Sequence, residues 1–174
     1  MANNVFFNGI PVEIERKYLI KMPDLEILKA QPEYDSSIIE QIYILENGVF
    51  CGGRIRKRIF KNQTKYYETH KKNINGLSKF EIEEEITADV YEQLSHDIVP
   101  KSRPIRKTRH CFAFKGQLLE LDIYEFWKDN ATVEVELGSE QQTVILPDFI
   151  EVIADVTGNR NYSNYSLSFN NSIF

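Results

Sequence analysis

The sequence predicts a mainly β (α+β) domain in which antiparallel strands form the body and a few helices lie at the periphery. Apolar and polar residues alternate along most of the chain, which is the pattern of strands with one apolar face. Turn sequences such as Asn47-Gly48 and Lys115-Gly116 separate these segments, and the links are too short for the crossovers that parallel strands need. The 174 residues have the length of one ordinary domain, so we expect a single domain over residues 1–174.

Eight segments alternate clearly enough to be predicted as strands. In chain order they cover residues 12–20, 38–45, 49–60, 65–72, 79–87, 105–114, 117–126 and 131–138. Because short turns connect most of them, the strands are expected to pair as consecutive hairpins in a meander.

Helical signals are fewer and fall between these strands. Residues 88–98 are predicted as a helix because Thr87 is a good N-cap and apolar residues recur along one face. Residues 24–30 are predicted as a second, short helix. Ser139, followed by Gln142, resembles a capping box, which predicts a third helix at this point.

Composition and charge exclude several function classes. No apolar run approaches the roughly 20 residues that cross a bilayer, so we expect no membrane partner. The net charge is −5, from 26 acidic and 21 basic side chains, which argues against a general nucleic-acid binder. The first residues lack the pattern of a secretory signal, and Cys51 with Cys111 cannot form a disulfide framework. We therefore expect a cytoplasmic location.

Charged residues are sorted by sign along the predicted strands. Side chains two residues apart share one face of a strand. The sets that share a face are Glu13, Glu15 and Lys17; Arg54, Arg56 and Arg58; Glu81, Glu83 and Glu85; Lys107 and Arg109; Glu120 and Asp122; and Glu134 and Glu136. A solvated sheet face is the ordinary explanation for any one strand. Sorting by sign favours a functional face, because surfaces mix the signs and neighbouring like charges repel.

A charged face of this kind becomes an interior if the sheet closes into a barrel. About eight strands leave room inside for side chains or one small ligand. Arginine binds phosphate oxygens with two parallel hydrogen bonds, and lysine supplies a point charge. Carboxylates without nearby Cys or His favour Mg²⁺ or Mn²⁺ over Zn²⁺. The sorted charges therefore predict a small polyanionic ligand that is held together with divalent metal.

Several motifs resemble, in chain order, those of the CYTH superfamily, the triphosphate tunnel metalloenzymes. Glu13-Ile14-Glu15-Arg16-Lys17 resembles the ExExK signature of the first strand. Later segments resemble the remaining blocks: Arg54-Ile55-Arg56, Thr69-His70-Lys71, Gly76-Leu77-Ser78-Lys79-Phe80-Glu81-Ile82-Glu83, Arg106-Lys107-Thr108-Arg109, Leu119-Glu120-Leu121-Asp122, Val133-Glu134-Val135-Glu136 and Val156-Thr157-Gly158. The likeness runs from about residue 12 to about residue 168, nearly the whole chain.

The resemblance implies an eight-stranded antiparallel closed β tunnel whose charged interior binds triphosphate and a divalent metal, Mg²⁺ or Mn²⁺. By position, the implied metal ligands are Glu13, Glu15, Glu134 and Glu136, with Asp122 nearby. The implied phosphate-binding residues are Lys17, Arg54, Arg56, Lys71 and Arg109, with Lys107 as a weaker candidate. Glu81 or Glu83 is implied for binding a second metal or for positioning the attacking water. Together with Lys17, these two residues are the catalytic candidates.

The same resemblance implies metal-dependent hydrolysis of inorganic triphosphate to pyrophosphate and phosphate. Thiamine triphosphate and nucleoside triphosphates are alternative substrates, and a non-catalytic polyphosphate-binding module or a plain interaction domain are alternative classes. A class IV adenylyl cyclase is disfavoured, because Phe7 and Asn8 stand where that branch has His-Phe. Asn161 and Ser163 replace basic residues of the family, and Arg160 is a candidate to substitute for them. Many relatives of this kind are dimers, so the resemblance implies a homodimer.

Overall fold

The computed structural model describes the backbone of residues 5–7, 10–73 and 78–169 and the side chains of residues 14–70 and 82–169. The strands are β1 (Val5–Phe7), β2 (Ile10–Lys21), β3 (Asp35–Tyr43), β4 (Gly53–Phe60), β5 (Gln63–Asn73), β6 (Ser78–Ile86), β7 (Ile105–Phe114), β8 (Gln117–Tyr124), β9 (Asn130–Glu136) and β10 (Val152–Asp155). The helices are α1 (Leu25–Lys29), α2 (Ala88–Ser95) and α3 (Asn164–Phe169), with a 3₁₀ turn at Arg160–Tyr162.

All of these strands belong to one antiparallel sheet. Its order is β1-β2-β6-β5-β4-β3-β7-β8-β9, and β10 lies beside β2. β2 is long enough to pair with two strands: residues 12–14 pair with β6, and residues 15–21 pair with β9. Consecutive strands form hairpins from β3 to β6 and from β7 to β9, whereas β7 pairs with β3 instead of β6.

The mainly β, antiparallel class with peripheral helices is confirmed, but the eight-strand count and the closed barrel are not. The described sheet has ten strands, because β1 and β10 also pair along β2. These two strands have only three and four residues, too few for alternation to reveal them. The segment predicted as 49–60 becomes a strand only at Gly53, because Gly52 has a φ of 93°, outside the extended region.

Two of the predicted helices are confirmed, and both begin at a side-chain cap. Thr87 Oγ1 accepts a hydrogen bond from the N–H of Val90 at 3.3 Å at the start of α2. Asp24 Oδ1 accepts from the N–H of Glu26 at 2.8 Å at the start of α1. Among the described residues, none of the helices has the length and apolar character of a membrane span.

The helix predicted after Ser139 is wrong. Its capping signal is used for a single turn, in which the N–H of Gln142 donates to the Ser139 carbonyl at 3.2 Å. The chain then runs without helical structure, and Val144 and Leu146 both pack against the main core. A spacing of two residues places side chains on the same side of an extended segment, so the apolar contacts override the local signal.

The main core lies on the side of the sheet that faces away from the charged residues. Leu119 and Leu121 of β8 and Val133 and Val135 of β9 are fully buried there, and α1 adds Leu28. Because side chains alternate along a strand, burying these residues on one face turns the charged residues between them to the other face. The apolar core therefore determines where the charged residues point.

Leu121 separates two charged residues of β8 and points away from them into the core. We expect Leu121→Ala to lower the free energy of unfolding by about 2–5 kcal/mol, because it leaves a cavity. Ile82→Ala is the matched control, since Ile82 is a strand residue that is 53 % exposed. That variant should cost less than about 0.5 kcal/mol. Urea unfolding measures both values, and equal losses would contradict the assignment of faces.

Candidate functional site

Charged residues from four strands come together where β2, β9, β8 and β7 lie side by side. Register places Lys17 and Glu120 opposite Glu134, and Arg109 opposite Asp122. Residues that are directly opposite in a sheet point to the same face. We call this group the charged cluster; its members are Lys17, Lys107, Arg109, Glu120, Asp122 and Glu134.

Arg109 is the centre of the charged cluster because its guanidinium contacts three carboxylates. Its Nε donates to Asp122 Oδ1 at 2.7 Å, and its Nη2 donates to Asp122 Oδ2 and to Glu134 Oε2, both at 2.8 Å. Its Nη1 donates to Glu120 Oε2. Glu120 and Glu134 are directly opposite each other and would repel without a cation between them. The planar fork of Arg109 supplies that cation.

Two lysines complete the cluster. Lys17 Nζ lies 3.0 Å from Glu134 Oε1, and Lys107 Nζ donates to Asp122 Oδ2. Both lysines are buried, and Asp122 has no exposed surface. A buried ion that loses its partner is strongly destabilising, so these contacts have to form together. The three cations balance the three carboxylates in formal charge.

The carboxylates of the cluster have pKa values shifted in different directions. Burial opposes ionisation of Asp122, but Arg109 and Lys107 outweigh it and hold its pKa below the usual value. Burial is likewise outweighed at Glu134, where Lys17, Arg109 and Lys107 hold the pKa well below its usual value. At Glu120, burial raises the pKa, and Glu134 and Asp122 raise it further against the effect of Arg109. Of the three carboxylates, only Glu120 therefore has a raised pKa.

The pKa values of the two lysines are also shifted in opposite directions. Burial and the neighbouring Arg109 lower the pKa of Lys107 to about 8, although Asp122 attracts the proton. Burial also opposes charge on Lys17, but Tyr124 and the carboxylates of Glu134, Asp122 and Glu15 raise its pKa above the ordinary value. Lys17 is thus a fixed positive charge, whereas Lys107 exchanges its proton close to neutral pH.

Arg54 and Arg56 face the charged cluster from β4. Arg54 is 6 % exposed and hydrogen-bonds the Tyr43 phenol. Burial raises the pKa of Tyr43, and the positive charges of Arg54, Lys17 and Arg56 act against it. Lys17 of β2 and the two arginines of β4 therefore act on the same phenol. We call the space between them, with the charged cluster, the polar interior.

Apolar side chains cover one end of the polar interior. Leu19 and Ile105 are two residues from Lys17 and Lys107 on the same strands, and they pack with Leu167 of α3. Tyr43 also meets α3, where the ring of Tyr165 lies edge-on to it with centroids 5.1 Å apart. The C-terminal helix therefore covers the end at which Lys17 and Arg54 lie.

Exposure rises toward the other end of the polar interior. Arg54 is 6 % exposed, and the side chain of Arg56, two residues further along β4, is 15 % exposed. Lys65, which is opposite Arg58 on β5, has 49 % of its side chain exposed. The polar interior therefore opens toward the turn between β4 and β5.

The structure brings many of the predicted site residues together and leaves others apart. Those gathered in the polar interior are Lys17, Arg54, Arg56, Lys107, Arg109, Asp122 and Glu134. Glu15 and Glu136 lie directly opposite each other, next to the Lys17–Glu134 pair. Glu83 is more exposed; its Oε2 lies 3.5 Å from Arg56 Nη1 and accepts a hydrogen bond from Thr69 Oγ1 at 2.8 Å. The side chains of Glu13, Lys71 and Glu81 lie outside the described residues.

The predicted metal ligands are not gathered as a ligand set within the described side chains. In residues 14–70 and 82–169, no group of three or more His, Cys, Asp or Glu side chains is placed to hold a metal ion. Both oxygens of Asp122 accept hydrogen bonds from Arg109, and Glu134 contacts Lys17 and Arg109. With Glu13 outside the described residues, the predicted metal set stays a prediction.

Sequence reasoning misses two residues of the polar interior. Glu120 is left out of the predicted site, although its spacing of two from Asp122 is a signal that they share a face. Tyr43 is missed because an uncharged residue on a strand gives no charge pattern, and its role depends on its contact with Arg54. Arg160, suggested as a substitute basic residue, is exposed on the 3₁₀ turn.

Comparison with solved structures finds proteins of the same fold. A crystal structure of NE1496, described as an inorganic triphosphatase, is 28 % identical with a TM-score of 0.55, over 90 % of this chain and 94 % of that one. A second NE1496 structure, described as a hypothetical protein, matches over 90 % and 97 % with the same identity and TM-score. PH1819 from Pyrococcus horikoshii OT3 is 25 % identical, with a TM-score of 0.58 over 74 % and 80 %. No family model and no curated protein matches the chain.

The shifted carboxylates predict how stability depends on pH. Since the pKa of Glu134 is lower in the folded protein than in the unfolded chain, the unfolded chain binds more protons in acid. Stability should fall as the pH drops through the acidic range, and Glu134→Gln should reduce that fall. Glu120→Gln is the contrasting variant: the pKa of Glu120 is raised, so removing it should steepen the fall. Urea unfolding between neutral and acidic pH measures both slopes, and equal changes would contradict the assigned directions.

Proposed function

We propose that this chain, which shares the fold of the CYTH superfamily of triphosphate tunnel metalloenzymes, hydrolyses inorganic triphosphate to pyrophosphate and phosphate. Its solved neighbours confirm the superfamily resemblance that the sequence motifs predict. One observation carries the proposal: five cations from three strands face a single polar interior, namely Lys17, Arg54, Arg56, Lys107 and Arg109. The likeness to NE1496 over 90 % of the chain supports the choice of substrate.

The proposal includes closure of the sheet around the polar interior. β2 pairs with β6 through residues 12–14 and with β9 through residues 15–21, so it lies next to strands from distant positions in the sheet order. The action of Lys17, Arg54 and Arg56 on one phenol also supports closure, because these cations come from separated strands. A sheet that closes in this way excludes most water and strengthens the electrostatic attraction of the cations for a bound anion.

Triphosphate would bind by exchanging partners with the carboxylates. Lys17 and Arg109 are each held by Glu134 in the structure, which keeps the two cations oriented toward the polar interior. A phosphate oxygen accepts the same charge-assisted hydrogen bonds as a carboxylate oxygen, and the forks of Arg54 and Arg56 suit bidentate contacts. Lys71 is the further phosphate-binding candidate from the resemblance. The substrate thus takes over donors that are already in place.

The acidic residues of β2 and β9 fit a divalent metal by their chemistry. Glu15 and Glu136 are directly opposite each other, so their negative charges repel. A cation bound between them would remove this repulsion. Oxygen ligands alone suit Mg²⁺ or Mn²⁺. We assign the metal to Glu15 and Glu136, with Glu13, Glu134 and Asp122 as further candidates. When bound, such a metal neutralises phosphate charge and lowers the pKa of water.

Hydrolysis requires positioning more than a protein nucleophile. Water adds to the terminal phosphorus, the bridging P–O bond breaks, pyrophosphate leaves with the bonding electrons, and the water releases its proton. Lys17 and Arg109 stabilise the negative charge that develops on the phosphate oxygens. Glu83, which Thr69 and Arg56 hold in place, is the described candidate for orienting the water, together with Glu81.

Lys17→Met tests the activity. We expect phosphate release from tripolyphosphate with Mg²⁺ or Mn²⁺, and much less release from ATP or thiamine triphosphate. The variant should lower kcat by at least about 100-fold, because a buried charge that stabilises the transition state is lost. Lys57→Met, on the outer face of the same sheet, should change kcat by less than about twofold. Metal-dependent binding of tripolyphosphate without phosphate release would contradict hydrolysis and favour a non-catalytic binding module.

Glu136→Gln tests the metal assignment without relying on turnover. Mn²⁺ that binds the folded protein should raise the Tm, and the rise should be smaller in the variant because one carboxylate ligand is lost. Glu92→Gln removes a carboxylate from the exposed surface of α2 and should keep the wild-type rise. Differential scanning fluorimetry with and without Mn²⁺ compares the three proteins. Equal rises in wild type and Glu136→Gln would remove Glu136 from the metal site.

A further inference from the structure

His70 lies between two carboxylates that come from different parts of the fold. Its Nδ1 lies 3.1 Å from Glu46 Oε1, and its Nε2 lies 3.1 Å from Glu68 Oε1. Glu68 belongs to β5, as His70 does, whereas Glu46 belongs to residues 44–52, which connect β3 to β4 and which we call the β3–β4 loop. The imidazole therefore joins this loop to the sheet.

A glycine leaves room for this contact on the outer face of the sheet. Gly53 of β4 is directly opposite His70, and its neighbour Arg54 points into the polar interior, so His70 points to the other face. A Cβ at Gly53 would lie 3.0 Å from Glu46 Oε1 and 3.7 Å from His70 Cε1. The φ of Gly53 is not positive, so what this position needs is the absence of a side chain. The carboxylate and the imidazole fill the space that a side chain would take.

The contacts of both ring nitrogens require a charged imidazole. A neutral imidazole has an N–H on one nitrogen and a lone pair on the other. Either neutral tautomer would therefore turn a lone pair toward Glu46 or Glu68 at 3.1 Å. Glu46 Oε1 is buried and has no hydrogen-bond partner in the part of the chain that the structure describes. Its attraction to the imidazolium is therefore electrostatic.

Other titratable groups surround the ring. They are Glu46 and Cys51 of the loop, Glu68 and Lys72 of β5, Glu84 of β6, which is directly opposite Glu68, and Tyr91 of α2, which packs on Tyr66 of β5. The side chain of Lys72 lies outside the described residues. β4 presents Gly53 and Ile55 on this face, and Ile82 of β6 is directly opposite His70. Carboxylates therefore outnumber cations among the described side chains around the ring.

The β3–β4 loop links His70 to the helix that covers the deep end of the polar interior. Phe50 of the loop stacks on Tyr165 of α3, with centroids 4.4 Å apart and ring planes at 10°. Glu46 and Val49 close a two-residue turn, in which the N–H of each donates to the carbonyl of the other at 2.8 and 2.9 Å. Because this turn holds Glu46 close to Phe50, a contact at Glu46 also positions the aromatic ring on α3.

We propose that His70 is a pH-sensitive clamp, which as an imidazolium fastens the β3–β4 loop to β5 and on losing its proton releases the loop and loosens its contact with α3. The proton leaves to solvent, since 41 % of the His70 side chain is exposed. Glu46 and Glu68 then face a lone pair and each other without a cation between them. Histidine changes its charge between about pH 5 and pH 8, so the clamp is closed in mild acid and open in mild alkali. It does not depend on the proposed hydrolysis.

Hydrogen exchange of the backbone amides tests the clamp without a ligand. Exchange of residues 44–52 is compared at about pH 6 and about pH 8.5, after division by the intrinsic rate at each pH. At the lower pH, His70→Gln and Glu46→Gln should each exchange about threefold faster than wild type. At the higher pH, His70→Gln should match wild type within about 1.5-fold. Glu92→Gln removes an exposed carboxylate of α2 and should stay within about 1.5-fold of wild type at both. Residues 164–169 should change in the same direction as the loop.

Three results would overturn the inference. Equal protection of wild type and His70→Gln in mild acid would reject the clamp. A difference that persists in mild alkali would show that His70 acts through packing or a neutral hydrogen bond, which rejects the pH dependence. A change in the loop without a change in residues 164–169 would reject the link to α3.

Gly53→Ala is a second variant that keeps His70 and both carboxylates. Its Cβ would crowd Glu46 Oε1, so exchange of the loop should rise in mild acid as it does in His70→Gln. Unchanged exchange in this variant would contradict the assigned geometry. Circular dichroism at each pH identifies any variant that is unfolded as a whole, and Glu46→Gln, which keeps the shape of the side chain, then decides the outcome.

Discussion

The mutual neutralisation of buried charges around Arg109 is the constraint on which the rest of the structure depends. One guanidinium holds Glu120, Asp122 and Glu134, which come from two strands, and each of these carboxylates would be costly to bury alone. The contacts exist only in one register of β7, β8 and β9. A slip of one residue would turn the charges into the apolar core and the leucines and valines into the polar interior. The core and the charged cluster therefore specify the same alignment of strands.

The same neutrality sets the conditions under which the interior can take up a ligand. Lys17, Lys107 and Arg109 already have carboxylate partners, so an incoming anion competes with groups that belong to the protein. A ligand that brings negative charge alone would leave those carboxylates buried without a cation. Under the proposed function, metal and triphosphate solve this problem together, since each compensates the charges that the other displaces. Lys107, with a pKa of about 8, can also adjust the charge of the cluster by one proton.

Much of this arrangement could be predicted from the sequence, and the reasons for the failures are physical. Alternation predicts the strand faces well because one face is buried, and Ile105–Phe114 matches its predicted bounds. The pairing of β2 with β9 cannot be derived from local patterns, because it joins distant parts of the chain. After Ser139, the capping signal predicts a helix, but contacts of Val144 and Leu146 with the main core keep the segment non-helical. Which carboxylate keeps a raised pKa, Glu120, depends on the cations that reach it, and spacing contains no such information.

The position of β2 between early and late strands has a consequence for how the chain folds. In the folded protein, Glu134 compensates the positive charge of Lys17. The backbone N–H of Lys17 donates to Thr157 Oγ1 at 3.0 Å. Both partners are synthesised long after β2, so an emerging chain carries a lysine and neighbouring acids that no local structure can satisfy. Contacts between distant residues slow folding because the loop between them must close first. We therefore expect the polar interior to be among the last parts to assemble, because its contacts join β2 to the C-terminal third of the protein.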